Sequence, residues 1–283
     1  MLLALLLAAT PHMTYHGGPL LQAPRFFNLY WGNFWAGSDG KDEAAHFDGF
    51  TRSVAPSTSL LGQVIEYSLP AVPLRAGSFL GSRIVSSSTP PASVADSALQ
   101  AFIAQQIDSG AAPAADASVV YAVFLPPGTK VTGSEKDLGF HSYTPRFRYI
   151  MLRYDPYVID PIGRVVTEVT YSHEMSETIT DPDLDAWYDD ATGDEIGDVC
   201  KLQTGSIDGY TVQEEWSNQY GKCIDPQSVF PAPHGGCPAG MHDEAGYCAP
   251  DSPVGCSTSA GGAGWLAAAL AVALRRARRP ARA

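Results

Sequence analysis

Hydrophobic residues recur along the chain in runs and spacings that predict alternating strands and helices. A continuous apolar run at residues 118–125, bounded by Pro126-Pro127-Gly128, predicts a buried central strand. Residues 92–108 place apolar side chains at helical spacing before Gly110, which predicts an amphipathic helix. Weaker patterns predict strands at 26–35, 149–154 and 210–216, a helix at 41–54, and a helix-to-strand transition at 60–70.

A further helix is predicted between Asp160 and Pro182. Aspartate is a favourable N-cap, Pro161 suits the first helical position, and apolar residues then follow at positions i, i+3 and i+4. The β-branched residues between Val165 and Thr170 count against a helix, because helices restrict their χ1 angles. Pro182 ends the pattern.

This predicted helix carries the candidate catalytic residues, in the order His173-Glu174-Met175-Ser176-Glu177. His173 and Glu177 would lie one turn apart on the same face, so both can hold one metal ion. Glu174 occupies the position of the general base in H-E-x-x-H metalloproteases. Glutamate replaces the second histidine of that motif, and a carboxylate is also an acceptable zinc ligand.

A catalytic metal needs a third protein ligand, and the acid-rich segment after the helix offers several. Asp183 lies ten residues after His173, Glu195 lies 22 residues after it, and Asp198 follows closely. We favour Glu195, because it belongs to the compact segment 195–200, which a disulfide at Cys200 would hold in place.

The identity of the metal remains open between several classes. Zinc is expected if the site is catalytic, but one histidine among several carboxylates also suits calcium, manganese or iron. The acids between 181 and 198 can also form a calcium site of their own, although their spacing differs from that of an EF-hand. A third interpretation has no metal, and His173 and the acids then form a structural hydrogen-bonded network. His16 and His141 are weaker candidates for the site, and we expect both to be packed or surface histidines.

The order of strand, strand and helix predicts the fold class. It is typical of an α+β protein with a zincin-like core, in which a mixed sheet packs on an active-site helix and the edge strand holds extended substrate. We place this main domain at residues 14–226, followed by a small Cys/Pro/Gly-rich linker at 227–254.

Charge and both ends of the chain indicate export. The formal net charge is −12, which argues against nucleic acid and anionic membrane surfaces as partners. Residues 1–13 resemble a secretory signal. Residues 255–283 combine an apolar run at 264–274 with an arginine cluster, and the run is too short for an ordinary membrane span. This layout indicates a C-terminal sorting tail.

Five cysteines also fit an exported protein. Cys200 and Cys223 flank a loop at the end of the main domain, while Cys237 and Cys248 bracket part of the linker. We therefore predict the pairs Cys200–Cys223 and Cys237–Cys248 among three possible connectivities. Cys256 is left over, just before the apolar run.

Parts of the sequence resemble a known family of secreted proteins. Residues 15–21 (Tyr-His-Gly-Gly-Pro-Leu-Leu), together with 173–182, 186–189 and 195–200, resemble the bacterial branch of the EXORDIUM, or phosphate-induced protein 1, family. The resemblance extends over roughly residues 14–225 and implies an extracellular protein. It does not imply metal chemistry, because the plant members do not keep the histidine–glutamate pair. The tail resembles the MYXO-CTERM signal of myxobacterial surface proteins, which implies a sorting machinery as partner and Cys256 as the anchoring or processing residue.

These observations combine into one hypothesis and one alternative. The hypothesis is an exported, cell-surface-directed, metal-dependent hydrolase, peptidase-like, with Glu174 as general base and a peptide or cell-surface polymer as substrate. The alternative is a non-catalytic EXORDIUM-like extracellular or cell-surface protein whose acidic cluster binds calcium or is structural.

Overall fold

The computed structural model describes residues 10–154, 162–227, 241–244 and 247–250. Its α-helices are α1 (Ser38–Val54), α2 (Thr58–Val64), α3 (Asp96–Asp108) and α4 (Ile162–Thr180), and short 3₁₀ helices lie at Asn33–Ala36, Ile65–Tyr67 and Asp198–Cys200. Its strands are β1 (Met13–Tyr15), β2 (Arg25–Trp31), β3 (Ser78–Val85), β4 (Ser93–Val94), β5 (Val119–Leu125), β6 (Lys130–Val131), β7 (Gly139–Tyr143), β8 (Arg148–Arg153), β9 (Trp187–Asp189), β10 (Thr204–Ile207), β11 (Tyr210–Gln213), β12 (Glu215–Ser217), β13 (Lys222–Ile224), β14 (Met241–Glu244) and β15 (Tyr247–Pro250).

A five-stranded sheet in the order β3-β2-β5-β8-β7 organises the fold. Strands β3, β2, β5 and β8 run parallel, and β7 lies antiparallel to β8 at one edge. Every residue of β5 is buried, which explains its uninterrupted apolar sequence, since helices cover both faces of a central parallel strand. The protein is therefore of mixed α+β class with a mixed sheet, as predicted.

Alternate residues of β5 face two separate hydrophobic cores. Val120 and Phe124 face the core that the sheet forms with α1, α2 and α4. Tyr121 and Leu125 face the core on the opposite side, which α3 covers. Burying one large apolar side chain stabilises a fold by about 1.5–3 kcal/mol, so the two cores hold the sheet between its helices.

Helix α4 confirms the helix predicted from the apolar spacing. Its Tyr171 and Met175 are buried, and the Tyr171 hydroxyl donates a hydrogen bond to Asn28 Oδ1 of β2 over 2.8 Å. The helix packs against β7 and β8. Burial of its sheet-facing side therefore outweighs the low helix propensity of its β-branched residues. The predicted N-cap at residues 160–161 lies outside the described residues.

Some predicted elements are wrong in detail. The strand predicted at 26–35 ends at Trp31, because Gly32 has a φ of 117° and a 3₁₀ helix follows that buries Trp35. Residues 60–70 contain the end of α2, a 3₁₀ helix and a turn rather than a strand. The strand predicted at 210–216 is divided into β11 and β12, which pair with β10 and β13 respectively. Strands β3 and β7 were not predicted.

Cys200 and Cys223 form the predicted disulfide, with Cα atoms 5.7 Å apart. Cys237, Cys256 and the side chain of Cys248 lie outside the described residues, so the second pair and the role of Cys256 stay predictions. The same holds for residues 1–9 of the signal-like segment and for the tail at 255–283. Within the described part of the chain, no helix has the length and apolar character needed to cross a bilayer.

Asp116 joins the beginnings of two central strands. Its carboxylate pairs with Arg25 at the start of β2 and accepts hydrogen bonds from the Ser118 N–H and hydroxyl, both over 2.8 Å, just before β5. Partial burial opposes ionisation, but the Ser118 N–H and the Arg25 guanidinium outweigh it and lower the pKa of Asp116 to about 2.

We expect Asp116→Asn to lower the free energy of unfolding at pH 7 by about 1 kcal/mol or less, because the exposed pair is screened by solvent. A carboxylate with a depressed pKa stabilises the fold above its unfolded pKa of about 3.9, and that stabilisation is lost as the pH falls through about 2. Urea unfolding should therefore show the difference between wild type and variant shrinking between pH 4 and pH 2. Asp42→Asn on α1 is the control, and an undiminished difference at pH 2 would contradict the assignment.

Candidate metal centre

One turn of α4 places three chemically active side chains beneath the edge of the sheet. His173 Nε2 lies 3.1 Å from Glu177 Oε1 and 3.9 Å from Glu174 Oε1. Both glutamates are buried, and the His173 side chain is only 12% exposed. The i, i+4 spacing in the sequence thus produces the contact that it predicts.

His141 of β7 enters the same cluster from the sheet. Its side chain is fully buried, and its Nδ1 lies 3.4 Å from Glu174 Oε2 and 3.5 Å from Glu177 Oε2. On the other side of the ring, Nε2 lies 3.1 Å from the Asp181 carbonyl oxygen and 3.5 Å from Glu195 Oε1. We expected a packed or surface histidine, whereas His141 lies among the candidate ligands.

Gly139 allows β7 to approach α4 closely enough for this contact. A Cβ at this position would lie 2.5 Å from Thr170 Cγ2 and 3.0 Å from the Met151 carbonyl oxygen, so only glycine fits without movement. His141 follows two residues later and therefore points to the same face of the strand, toward α4. The strand–helix approach at Gly139 thereby positions the imidazole.

The segment after α4 supplies two further carboxylates. Asp198 Oδ2 accepts a hydrogen bond from the Glu195 N–H over 3.3 Å, and the disulfide at Cys200 anchors the end of this segment. Gly197 lies between Glu195 and Asp198 in the chain and packs on the His173 ring. A Cβ on this glycine would lie only 2.5 Å from His173 Nδ1. The compact segment that was predicted to present Glu195 therefore presents Asp198 as well.

The ligand atoms form two groups that share Glu177. His173, Glu177 and Asp198 offer atoms that all lie within 4.8 Å of one another, and so do His141, Glu177 and Glu195. We call them the cleft group and the buried group. Each combines one imidazole with two carboxylates, a donor set that suits divalent zinc, manganese or iron.

A cleft of about 630 Å³ opens beside β7 and α4, and it makes the cleft group accessible. His173, Glu174 and Asp198 line this cleft, whereas His141 and Glu195 of the buried group do not. Apolar and basic side chains complete its walls, among them Leu138, Phe140, Val165, Val169, Lys136 and Lys201. Water and a substrate can therefore reach the cleft group.

Negative charge is concentrated in this region. Five buried carboxylates, those of Glu174, Glu177, Asp181, Glu195 and Glu215, are joined by Asp198, whose side chain is 7% exposed. Facing them are the imidazoles of His141 and His173, and Lys201 Nζ lies 3.0 Å from Asp198 Oδ1. Each ionised carboxylate taken out of water costs several kcal/mol unless it is compensated, and a cation bound at this cluster would supply such compensation.

The cluster shifts the pKa values of its members. Burial lowers the pKa of His141, but the carboxylates around it, Glu195 foremost, outweigh burial and raise the pKa well above its usual value. The same balance raises the pKa of His173, where Glu177 is the main carboxylate. Burial opposes ionisation of Glu177, yet the two imidazoles hold its pKa well below the usual range. Burial raises the pKa values of Glu195 and Glu215 well above normal.

The hydrogen bond at Nε2 determines which nitrogen of His141 can bind a metal. The Asp181 carbonyl only accepts, so Nε2 carries the proton of the neutral ring. Nδ1 then presents a lone pair toward Glu174 and Glu177. A metal-binding histidine commonly donates its other N–H to a backbone carbonyl in this way.

His173 has the opposite arrangement. Gln213 Nε2 donates to the Gly197 carbonyl over 2.8 Å and lies 2.8 Å from His173 Nδ1, so this nitrogen accepts. The proton of a neutral His173 then lies on Nε2, toward Glu177. A metal at His173 Nε2 therefore requires the Gln213 amide to turn, so that its oxygen accepts from Nδ1.

Several buried atoms at the centre have no well-aligned hydrogen bond, namely His141 Nδ1, Glu174 Oε2 and both side-chain oxygens of Glu177. They face one another, with His141 Nδ1 at 3.4 Å and 3.5 Å from the two glutamates. Buried polar atoms are normally hydrogen-bonded, and a set without such bonds directed at shared space fits a cation.

The structure brings together four of the five predicted ligands: His173, Glu177, Glu195 and Asp198. It does not bring Asp183 to them, because the Asp183 carboxylate accepts hydrogen bonds from Arg148 Nε at 2.7 Å and Nη2 at 2.9 Å. Because α4 ends at Thr180, Asp183 does not continue the ligand face of the helix. His16 lies elsewhere and stacks on Tyr188.

Sequence reasoning ranked His141 too low, since it named this residue only as a weaker candidate and expected it to be a packed or surface histidine. Its signal was the alternation in Gly139-Phe140-His141-Ser142-Tyr143, which fits a short strand with the glycine and the histidine on one face. Glu215 was missed, because nothing in its neighbourhood indicates that β12 lies beside α4.

No protein-family profile matches the chain, and no curated protein matches its sequence. The resemblance to the EXORDIUM family and that of the tail to a MYXO-CTERM signal therefore stay predictions.

Gly139→Ala should destabilise the fold by about 1–3 kcal/mol, because the new Cβ would overlap Thr170 and the Met151 carbonyl. It should also weaken metal binding, since β7 must move away from α4 and carry His141 with it. Urea unfolding and competition with a chromophoric chelator measure the two effects. Tyr143→Ala, on an exposed position of the same strand, is the control. Unchanged stability of the Gly139 variant would contradict the close strand–helix contact.

Removing the disulfide with Cys200→Ala and Cys223→Ala should lower the free energy of unfolding by about 3 kcal/mol, as expected for a closed loop of this length. Metal affinity should fall as well, because Asp198 lies two residues from Cys200 and loses its anchor. Thermal unfolding with and without Zn²⁺ or Mn²⁺ reports both effects. If metal affinity survives the loss of the disulfide, Asp198 is positioned by other contacts or is not a ligand.

Proposed function

We propose that the protein is an exported, metal-dependent hydrolase that cleaves a peptide or a related cell-surface polymer. The observation that carries this proposal is the cleft group: His173, Glu177 and Asp198 converge within 4.8 Å, with His173 and Asp198 on the wall of an open cleft. Glu174 lies on the same wall, next to His173 in the chain. The group thus combines three ligands, a neighbouring base and access for substrate.

The arrangement of β7 and α4 supports a zincin-like core. In the described part of the sheet β7 pairs on one side only, with β8, and α4 packs beneath both strands. The Leu138 carbonyl accepts a hydrogen bond from the Arg153 N–H over 2.8 Å. Because hydrogen-bonded and non-hydrogen-bonded pairs alternate along antiparallel strands, the N–H and C=O groups of Gly139 point away from β8. Gly139 is partly exposed beside the cleft, where an extended substrate can add to the sheet edge.

The proposal assigns a role to several residues in and beside the cleft. A metal held by His173, Glu177 and Asp198 would polarise the scissile carbonyl and acidify water. The Glu174 carboxylate accepts the proton of the attacking water and passes it to the leaving group. Leu138 and Val165, both exposed at the cleft, contact apolar parts of the substrate. Burial of the carboxylates behind them strengthens these electrostatic effects.

Export is supported by the disulfide and by the pattern of the termini. Cys200–Cys223 persists in oxidising compartments, which fits a mature domain outside the cytoplasm. The signal-like segment, the sorting tail and the EXORDIUM resemblance agree with this location. Zinc is our first choice of metal for a catalytic site, and manganese or calcium is the alternative, because carboxylates make up most of the ligands.

We expect Glu174→Gln to lower kcat/KM by on the order of 10²–10⁴ while the protein retains its metal, because the amide cannot accept a proton. Activity is measured on a mixed set of fluorescence-quenched peptides before and after chelation, with Zn²⁺ or Mn²⁺ restoring it. Glu214→Gln, outside the cluster, serves as control.

Two outcomes would contradict the hydrolase. The first is hydrolytic activity that survives Glu174→Gln or exhaustive chelation. The second is a purified protein that binds Ca²⁺ alone and cleaves no peptide, which would support the non-catalytic, EXORDIUM-like alternative.

A further inference from the structure

Glu177 lies between two histidines that come from different parts of the fold. Its Oε1 lies 3.1 Å from His173 Nε2, and its Oε2 lies 3.5 Å from His141 Nδ1. Neither oxygen has a well-aligned hydrogen bond, and the side chain is fully buried. A carboxylate whose two oxygens face two separate ligand nitrogens has the geometry of a bridge between two cations.

The two histidines belong to different ligand groups. Among the residues that the structure describes, each group of atoms within 4.8 Å contains one of them: His173 with Glu177 and Asp198, or His141 with Glu177 and Glu195. One metal ion cannot therefore be placed within reach of both imidazoles in this arrangement. Two positions that share Glu177 account for both sets of ligands.

The buried group has the features of a closed metal site. His141 presents one ring nitrogen to each carboxylate of this group: Nδ1, which the structure leaves without an aligned hydrogen bond, lies 3.5 Å from Glu177 Oε2, and Nε2 lies 3.5 Å from Glu195 Oε1. His141, Glu177 and Glu195 are each almost completely excluded from solvent. A closed site of this kind suits a structural or supporting ion rather than one that exchanges substrate.

We propose that a second divalent metal ion binds to His141, Glu177 and Glu195, behind the cleft ion, with Glu177 bridging the two. One imidazole with carboxylate oxygens suits Mn²⁺, Zn²⁺ or Fe²⁺ more than the all-oxygen set of Ca²⁺. Paired sites of this type hold their ions about 3.5–4 Å apart. The second ion compensates buried carboxylates that the imidazoles alone do not balance. The proposal deepens the proposed function, on which it rests only through the shared Glu177.

The test is a titration of the metal-free full chain with Mn²⁺, followed by equilibrium dialysis and by electron paramagnetic resonance. We expect two Mn²⁺ per chain and a broadened spectrum, because ions that share a carboxylate are exchange-coupled. His141→Gln should leave one Mn²⁺ with the resolved hyperfine lines of an isolated ion. Asp198→Asn should also leave one. His16→Gln, which removes a histidine outside the cluster, should leave the wild-type result unchanged.

Each other outcome shows which of the two proposals is wrong. One Mn²⁺ in the wild type that is lost with Asp198→Asn and kept with His141→Gln overturns the second site and leaves the hydrolase proposal intact. One Mn²⁺ that is lost with His141→Gln and kept with Asp198→Asn overturns the cleft assignment and the bridge. Binding of neither Mn²⁺ nor Zn²⁺ overturns both proposals. Should His141→Gln fail to fold by circular dichroism, the isosteric Glu195→Gln provides the same comparison.

Discussion

The burial of carboxylates around two imidazoles is the constraint on which the rest of the structure depends. The effective cost of burying one uncompensated ion is several kcal/mol, whereas a whole domain is stable by only about 5–15 kcal/mol. Five buried acids would exceed that margin if all were ionised and unpaired. The imidazoles of His141 and His173 offset part of the cost, and burial raises the pKa values of Glu195 and Glu215, which favours their neutral form. A cation bound here, as we propose, would compensate the acids that remain ionised.

The fold meets this constraint by fixing each contributor on a rigid element. Gly139 lets β7 touch α4, so His141 reaches the glutamates of the helix. Hairpin β10–β11 is tied to the same helix, because the Gln213 N–H donates to Ser172 Oγ over 2.9 Å. The disulfide at Cys200 holds the segment that carries Asp198 and Glu195. Side chains held on such elements would lose little conformational entropy if a metal bound to them, as a preorganised site requires.

The sequence predicts contacts between residues that are close in the chain better than contacts between residues that are far apart. His173 and Glu177 are one helical turn apart, so local geometry alone places them together. The strand at 118–125 was equally evident, because burial on both faces leaves a continuous apolar run. His141 and Glu215 come from strands remote in sequence, and only tertiary packing brings them to α4. Asp183 is the opposite case. Its spacing from His173 matches that of a third metal ligand, but its carboxylate binds Arg148 of β8 instead.

The departure from the H-E-x-x-H motif has a physical reason in this fold. A histidine at position 177 would offer one nitrogen to a metal beside His173, and its ring would stand against the imidazole of His141. A glutamate offers two oxygens on a compact group, and here each oxygen faces a different histidine. The arrival of His141 from β7 therefore makes a carboxylate the better residue at this position. The change in the motif and the approach of His141 are then two parts of one arrangement, in which Glu177 faces a histidine on each side.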